Sequence, residues 1–431
     1  MVNRAKFQAI KGTRDLLPPE TELWNRVEQS AREVFATFGF GEIRPPIFEL
    51  TDLFARAVGG ETDIVSKEMY SFEDRDETSV SLRPEATASV CRAYLEHGMQ
   101  QLPAPVKLYY LGPMFRRERP QKGRYRQFYQ IGAEVLGGSD APGIDAEVIE
   151  MVMAFFSRLE LEGVQLEINS IGHSAGECRR GYIEKLRAAL EKVKDQLGED
   201  SRRRIETNPL RVLDSKLESE QAIIANLPRI SEHLCDACAK HYAEVKRQLE
   251  LRGVAFKENW RLVRGLDYYM RTTFEITAKG LGSQDAVCGG GRYDGLMELL
   301  GGPPTKGIGF AIGEDRLILS LQEAGKGGVA RGRDVFIAWM GEGAQPAAIA
   351  AAQKLRNAGF RVELPPTEQK FGKALGQADK LGSRYALILG EDEVASGLWT
   401  LKTLADGSQQ KYAEAELLAF LRKACSSPRL P

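Results

Sequence analysis

A chain of 431 residues can build two or three domains, each with a full hydrophobic core. Its 59 lysines and arginines nearly match its 60 aspartates and glutamates, which excludes a generally basic nucleic-acid coat and confines any RNA contact to local patches. The first residues hold no apolar core of signal-peptide length and no run of about eighteen apolar residues follows, so no membrane partner and a cytoplasmic location are expected, with the 6 scattered cysteines as reduced thiols.

Residues 20–38 carry Leu23, Val27, Ala31, Val34 and Phe38 at helical spacing, and Gly39 supplies the stop. A strand-like stretch follows through Pro45-Pro46. Residues 56–75 mix glycine, acids and few apolar positions, and read as a loop or an ordering lid. Ser79 to Leu82 then leads into Arg83-Pro84-Glu85-Ala86-Thr87 and a helix reaching Tyr94. Proline at a first helical position sets Glu85 and Thr87 at the helix mouth, where free amides and the positive dipole end favour a carboxylate.

Residues 106–111 and 127–136 read as the two strands of a hairpin. Its loop crowds Arg116, Arg117, Arg119, Lys122, Arg124 and Arg126 against Glu118 alone. Strand alternation puts Phe128, Gln130 and Glu134 on one face and Tyr129, Ile131 and Val135 on the other. An aromatic ring, an amide and a carboxylate beside guanidinium groups form an inventory for a polyphosphate, a flat ring and a small polar molecule.

Residues 140–161 read as a helix and 165–171 as a strand; 172–252 turn charged and helical, broken at Asn208-Pro209. Within that stretch Cys235, Cys238 and His241, with His233 nearby, are zinc-ligand types. The spacing continues a helical pattern that sets the thiols on one helix face, so no structural zinc is expected. Arg264, Gly265, Asp267, Tyr268 and Tyr269 fall on a turn ahead of a β-branched strand. Cys288 is followed by three glycines that allow close backbone approach. Residues 307–316 give a short strand, a glycine break and a helix start at Arg316. Residues 324–333 form a glycine-rich basic linker, and beyond it strands and helices alternate as in a small, mostly parallel α/β domain.

The segment FRRERPQKGRYRQF at 115–128 closely resembles motif 2 of the class II aminoacyl-tRNA synthetases, in the form of their histidine-specific branch. The helix, strand and Pro45-Pro46 resemble motif 1, the segment at 307–316 resembles motif 3, and RGLDYY at 264–269 resembles a signature of that branch. The resemblance covers nearly the whole chain. It implies an α/β fold with an α+β catalytic core at 1–325, an antiparallel sheet flanked by helices. A helical insertion at about 172–252, a linker at 326–333 and a small α/β anticodon-binding domain at 334–431 complete it.

The same resemblance implies ATP-dependent activation of L-histidine to histidyl-adenylate and its transfer to tRNA(His), by a homodimer, with Mg2+ accompanying ATP and no protein metal ligands. Glu85, Ala86 and Thr87 would hold the substrate amino group and Gln130 its polar backbone end. Arg116 and Arg264 would flank the α-phosphate, Arg264 also meeting the carboxylate. Arg124 and Arg316 would lie nearer the γ-phosphate, Phe128 and Arg316 would pack on adenine, and Arg119 and Gln121 would touch the acceptor stem. Tyr268 and Tyr269 would line the histidine pocket. A neutral imidazole offers one donor and one acceptor, which suits Glu134 as acceptor and the Tyr269 hydroxyl as donor. The rival expectations are a noncatalytic synthetase-like regulatory subunit, against which RGLDYY and the C-terminal domain count, and a tRNA-sensing module, against which Arg116, Arg264 and Arg316 together count.

Overall fold

The computed structural model describes residues 7–60, 62–173, 177–263, 268–278, 286–327 and 332–425. In order these form α1 (Glu20–Thr37), β1 (Gly41–Glu42), β2 (Phe48–Leu50), α2 (Thr51–Val58), β3 (Tyr70–Glu73), β4 (Ser79–Leu82), α3 (Thr87–Glu96), β5 (Val106–Phe115), β6 (Gln127–Leu136), α4 (Pro142–Arg158) and β7 (Gln165–Ser170). Then come α5 (Glu177–Glu191), α6 (Glu199–Thr207), α7 (Glu218–Ala225), α8 (Asp236–Leu251), β8 (Lys257–Glu258), β9 (Met270–Thr277), β10 (Ala286–Arg292), α9 (Leu296–Leu299), β11 (Gly307–Gly313) and α10 (Glu314–Glu323). The last stretch holds β12 (Val335–Trp339), α11 (Ala344–Asn357), β13 (Val362–Glu363), α12 (Phe371–Lys380), β14 (Tyr385–Leu389), α13 (Glu391–Ser396), β15 (Leu398–Thr403), β16 (Gln409–Ala413) and α14 (Glu414–Cys425). None of the described helices is long and apolar enough to cross a membrane.

The described residues form two compact units, the first of 7–17 and 23–327 and the second of 18–22 with 332–425. The first is organised on an eight-stranded sheet, order β1-β5-β6-β11-β10-β9-β7-β8, antiparallel except where β1 meets β5 and β8 meets β7. Period-2 alternation along β6 sends Ile131, Ala133 and Val135 into a core shared with α1, α4, α8 and α10, through Phe35, Phe155, Val245 and Leu317. Burying each such side chain contributes about 1.5–3 kcal/mol. Tyr129 points the same way and meets Trp24 edge-on at 5.2 Å, on the face opposite Gln130 and Glu134. The other face of the sheet carries a second core with Tyr110, Met114, Tyr268, Tyr269 and Tyr293. Helices α5 to α7 enclose a separate cluster around Tyr182, Leu186, Ile205 and Ile224. The second unit has its own sheet, order β13-β12-β14-β15-β16, whose first three strands are parallel and whose last two run antiparallel.

Two expectations change. The stretch 56–75 is not a loop: α2 buries Phe54, Ala57 and Val58, a π-helical turn covers Ile64–Glu68, and β3 joins β2 and β4 in a three-stranded sheet. Its brevity and its charges hide a helix that tertiary burial stabilises. The helix through 233–241 is also interrupted. It begins at Asp236, Cys235 is its extended N-cap (φ −67°, ψ 161°), and His233 lies in the preceding turn, so the two thiols straddle a helix start.

Glu314, in the first turn of α10, is fully buried, and neither carboxylate oxygen has a hydrogen-bond partner among the described residues. Burial, with Glu28 and Asp315 nearby, drives its pKa well above the usual carboxylate range. The folded chain therefore keeps a proton that the unfolded chain gives up above about pH 4.5, and stability falls as pH rises beyond that value. Glu314→Leu is expected to raise stability by about 1–3 kcal/mol at neutral pH. Melting curves should show the gain growing from pH 5 to pH 8; a pH-independent gain would mean that Glu314 is not the group titrating.

Candidate active site

The face of the large sheet that carries Gln130 holds a cavity of ≈ 280 Å³ lined by Glu85, Thr87, Tyr110, Arg116, Gln130, Tyr268, Tyr269, Gly289 and Arg316, among others. Its residues come from the start of α3, from β5 and β6, from the run into β9, from β10 and from the start of α10. Arg264 lies outside the described residues, as do Gly265 and Asp267.

Glu85 sits two residues ahead of α3, which starts at Thr87 rather than at Pro84, and accepts the backbone N–H groups of Thr87 at 2.8 Å and Ala88 at 3.0 Å. It thus satisfies two of the free amides of the helix mouth. Full burial raises its pKa, against the lowering effect of those N–H groups. Ala86 is buried between Glu85 and Thr87. Gln130 is buried, lines the cavity, and its Oε1 has no hydrogen-bond partner among the described residues.

Glu134 lies two same-face positions further along β6 and is not among the residues that line the cavity. One carboxylate oxygen accepts the Thr87 hydroxyl at 2.7 Å and the other accepts the Tyr293 hydroxyl. Burial raises its pKa to about 8, offset in part by these two hydroxyls and reinforced by Glu85. The carboxylate also explains a glycine: a Cβ at Gly309, paired with Glu134 across the sheet, would occupy the space of Oε2. The Tyr268 and Tyr269 rings lie tilted against each other at 4.7 Å, Tyr268 meets Tyr293 at 5.6 Å, and all three are buried.

Cations enter from two sides. Arg116 donates Nε–H to the Pro84 carbonyl at 2.9 Å and spreads over the Phe128 ring at 5.2 Å from its centroid. Arg124 pairs with Glu118 at 3.2 Å. The hairpin tip closes through reciprocal backbone bonds of Gln121 and Arg124, leaving Arg119 and Gln121 exposed. Across the cavity Arg316 donates to the Ala286 carbonyl at 2.7 Å. Its neighbour Asp315 accepts the Tyr129 N–H at 2.9 Å and Arg14 at 3.1 Å, which fixes α10 against β6.

Three residues of this framework escape a reading of the sequence. Arg83 is buried and donates to the carbonyls of Pro45, Pro46 and Pro113, so the arginine of the RPE run positions backbone rather than substrate. Tyr293 reaches Glu134 from 159 positions away, and Arg292 is buried in ion pairs with Asp145 and Asp294. No local pattern announces such partners. The histidines weighed as zinc-type ligands also part company: His241 Nε2 lies 3.1 Å from the Asp140 carbonyl and His233 Nδ1 lies 3.3 Å from Lys185 Nζ.

Residues 12–317 match the family model described as histidyl-tRNA synthetase, and residues 334–424 match the one described as anticodon binding domain. The histidine–tRNA ligase of Koribacter versatilis (strain Ellin345) is 52% identical over 426 residues, 96% of either chain. That of Solibacter usitatus (strain Ellin6076) is 53% identical over 419 residues, 97% of this chain and 99% of its own. The crystal structure of apo Staphylococcus aureus histidyl-tRNA synthetase superposes with a TM-score of 0.80 at 36% identity, covering 97% of this chain and 100% of its own. With both halves matched and half the residues shared along nearly the whole length, the chain belongs to the histidyl-tRNA synthetase family and is an aminoacyl-tRNA ligase.

Proposed function

We propose that the cavity joins L-histidine to ATP as histidyl-adenylate and then passes the histidyl group to the 3′ end of tRNA(His). The observation that carries this reading is the convergence of an amide, a helix-mouth carboxylate, paired tyrosines and two guanidinium groups on one cavity. In the first step a substrate carboxylate oxygen attacks the α-phosphorus and diphosphate leaves. Charge spreading over phosphoryl oxygens is stabilised by rigid cations in a site poor in water. Arg116 serves the α-phosphate, together with Arg264. Arg124 and Arg316 serve the γ-phosphate, Mg2+ accompanies the leaving diphosphate, and Phe128 and Arg316 hold the adenine.

Glu85, Ala86 and Thr87 take the amino group, whose positive charge offsets the cost of a buried carboxylate. The Gln130 Oε1, without a hydrogen-bond partner among the described residues, supports its place at the polar end of the substrate. Glu134 and Tyr269 take the two imidazole nitrogens, with Tyr268 backing Tyr269. The exposed hairpin tip offers Arg119 and Gln121 to the acceptor stem. In this reading residues 1–325 are the catalytic domain with its insertion at 172–252, 326–333 a linker, and 334–431 the anticodon reader. The functional unit is a homodimer. An apolar patch supports it: Phe48, Leu50 and Phe72 stand exposed on one face of the small sheet, where Leu50 and Phe72 flank Val80.

Pyrophosphate exchange into ATP, run with each amino acid in turn, tests the whole proposal. Exchange with histidine alone is expected. Exchange with another amino acid would overturn the specificity, and exchange with none would favour a noncatalytic tRNA-binding role.

A further inference from the structure

Outside the cavity, three separate segments bring soft ligands to one point. His173 follows β7, Cys178 opens α5, and Cys235 and Cys238 bracket the start of α8. Their ligand atoms all lie within 4.8 Å of one another. His173 Nδ1 is 3.0 Å from Cys178 Sγ, 3.1 Å from Cys238 Sγ and 3.7 Å from Cys235 Sγ, and the Cys178 and Cys238 sulfurs are 3.9 Å apart. Tetrahedral zinc with bonds of about 2.3 Å to sulfur and 2.0–2.1 Å to nitrogen requires ligand separations of about 3.5–3.8 Å. A disulfide needs about 2.05 Å. The 3.9 Å between the Cys178 and Cys238 sulfurs and the 3.7 Å between His173 and Cys235 match that spacing, the other two His173 contacts being about 0.5 Å closer, and the Cys178 and Cys238 sulfurs stand too far apart for a bonded pair.

We propose that His173, Cys178, Cys235 and Cys238 bind one zinc ion in a closed, four-ligand site. Three thiolates and one imidazole suit zinc among the common divalent ions, and four protein ligands leave no position for substrate, so the role is structural. The surroundings are built for it. Cys178 and Cys238 are buried, and Cys235 as N-cap and Cys238 in the first turn stand at the positive dipole end of α8. The Arg271 guanidinium, held by Asp140 at 2.6 Å, also lies against Cys238 and offsets the negative charge of three thiolates on a divalent ion. Gly172 has φ +66°, and a Cβ there would press to 2.8 Å from Cys178 Sγ, so the backbone before His173 is closed tightly on the cluster.

The ion would clamp the starts of the insertion's first and last helices, α5 and α8, to the end of β7. The clamp adjoins the cavity wall: Arg179, next to Cys178, donates to the Tyr269 carbonyl at 2.7 Å, and Arg271 exchanges backbone bonds with Ile171 and Gly172.

The full chain, purified without added metal and dialysed, is expected to carry about one zinc per chain by mass spectrometry of its metals. A mercurial thiol reagent should release that zinc as the cluster's thiols react. Cobalt exchanged for zinc should show thiolate-to-metal absorption and the visible bands of a tetrahedral centre. Cys178→Ser should lose the metal, Cys178→His should keep it because imidazole replaces the thiolate, and Cys91→Ser, remote from the cluster, should be unchanged. If Cys178→Ser fails to fold, the metal content and cobalt spectrum of the unaltered chain decide. Metal-free protein that takes up neither ion, a Cys235–Cys238 disulfide seen as a loss of two hydrogens in mass, or iron–sulfur absorption would each overturn the proposal. A rise in the histidine KM on metal removal, with the ATP KM steady, is also expected. That consequence alone rests on the assignment of Tyr269, so its failure with zinc present would count against the pocket and not against the site.

Discussion

Glu134→Ala should lower kcat/KM for histidine in pyrophosphate exchange by about 10³-fold while moving the ATP KM by less than about threefold. Selection of an imidazole by hydrogen bonds is strong because a wrong side chain leaves buried partners short of a bond; in the proposed assignment Glu134 is such a partner, a buried carboxylate whose oxygens also accept the Thr87 and Tyr293 hydroxyls. Alanine also strands those hydroxyls, so Glu134→Gln, of the same shape, separates chemistry from folding; a loss of about 10-fold to 10²-fold is expected from the missing charge. The pH dependence follows from a carboxyl held up at about 8. An imidazole N–H prefers the ionised acceptor, so histidine binding should tighten as pH rises from 7 toward 8.5 and should release protons. Calorimetry in buffers of different ionisation enthalpy measures that release, and the Gln variant should lose it. Equal changes in the two KM values would remove Glu134 from the histidine pocket.

Arg116→Ala should slow adenylate formation in a single turnover by about 10³–10⁴-fold, equivalent to about 4–5.5 kcal/mol of transition-state stabilisation. Arg116→Lys should recover little of it. The guanidinium is aimed by its Nε–H bond to the Pro84 carbonyl at 2.9 Å and by the Phe128 ring 5.2 Å away, and a lysine ammonium has no planar fork to hold both contacts while turning further N–H groups to a phosphate. Arg119→Ala supplies the contrast. Arg119 is exposed at the hairpin tip, so its loss should leave pyrophosphate exchange within about twofold and reduce tRNA charging. A large loss of exchange in Arg119→Ala, or none in Arg116→Ala, would redraw the boundary between the ATP-facing and RNA-facing parts of the loop.

Much of this was legible locally. Alternation along 127–136 separates Tyr129, Ile131 and Val135 from Phe128, Gln130 and Glu134, and the structure keeps those two faces on two different cores. Helical spacing marks α1 and α4, and the strand–helix alternation after 334 marks the second unit. These are short-range consequences of the strand and helix periods, so residues within one element suffice to state them. The hairpin's cation run puts Arg116 at the cavity, and of the RGLDYY segment Tyr268 and Tyr269 line it.

What stayed hidden depends on partners far apart in the chain. The segment at 51–73 carries too little periodicity to declare α2 and β3, which burial of Phe54 and pairing with β4 stabilise. Tyr293 acquires its role only when β10 and β11 bring it to Glu134, and the raised pKa of Glu134 exists only once water is excluded. Cys235 and Cys238 look like two thiols on a helix until α8 is seen to start between them and His173 and Cys178 arrive from β7 and α5. The sequence by itself thus determined which residue types were available and on which face of each element they lie. The tertiary structure decided which of them share a low-dielectric space, because ligand geometry and desolvation are properties of assembled neighbours rather than of order along the chain.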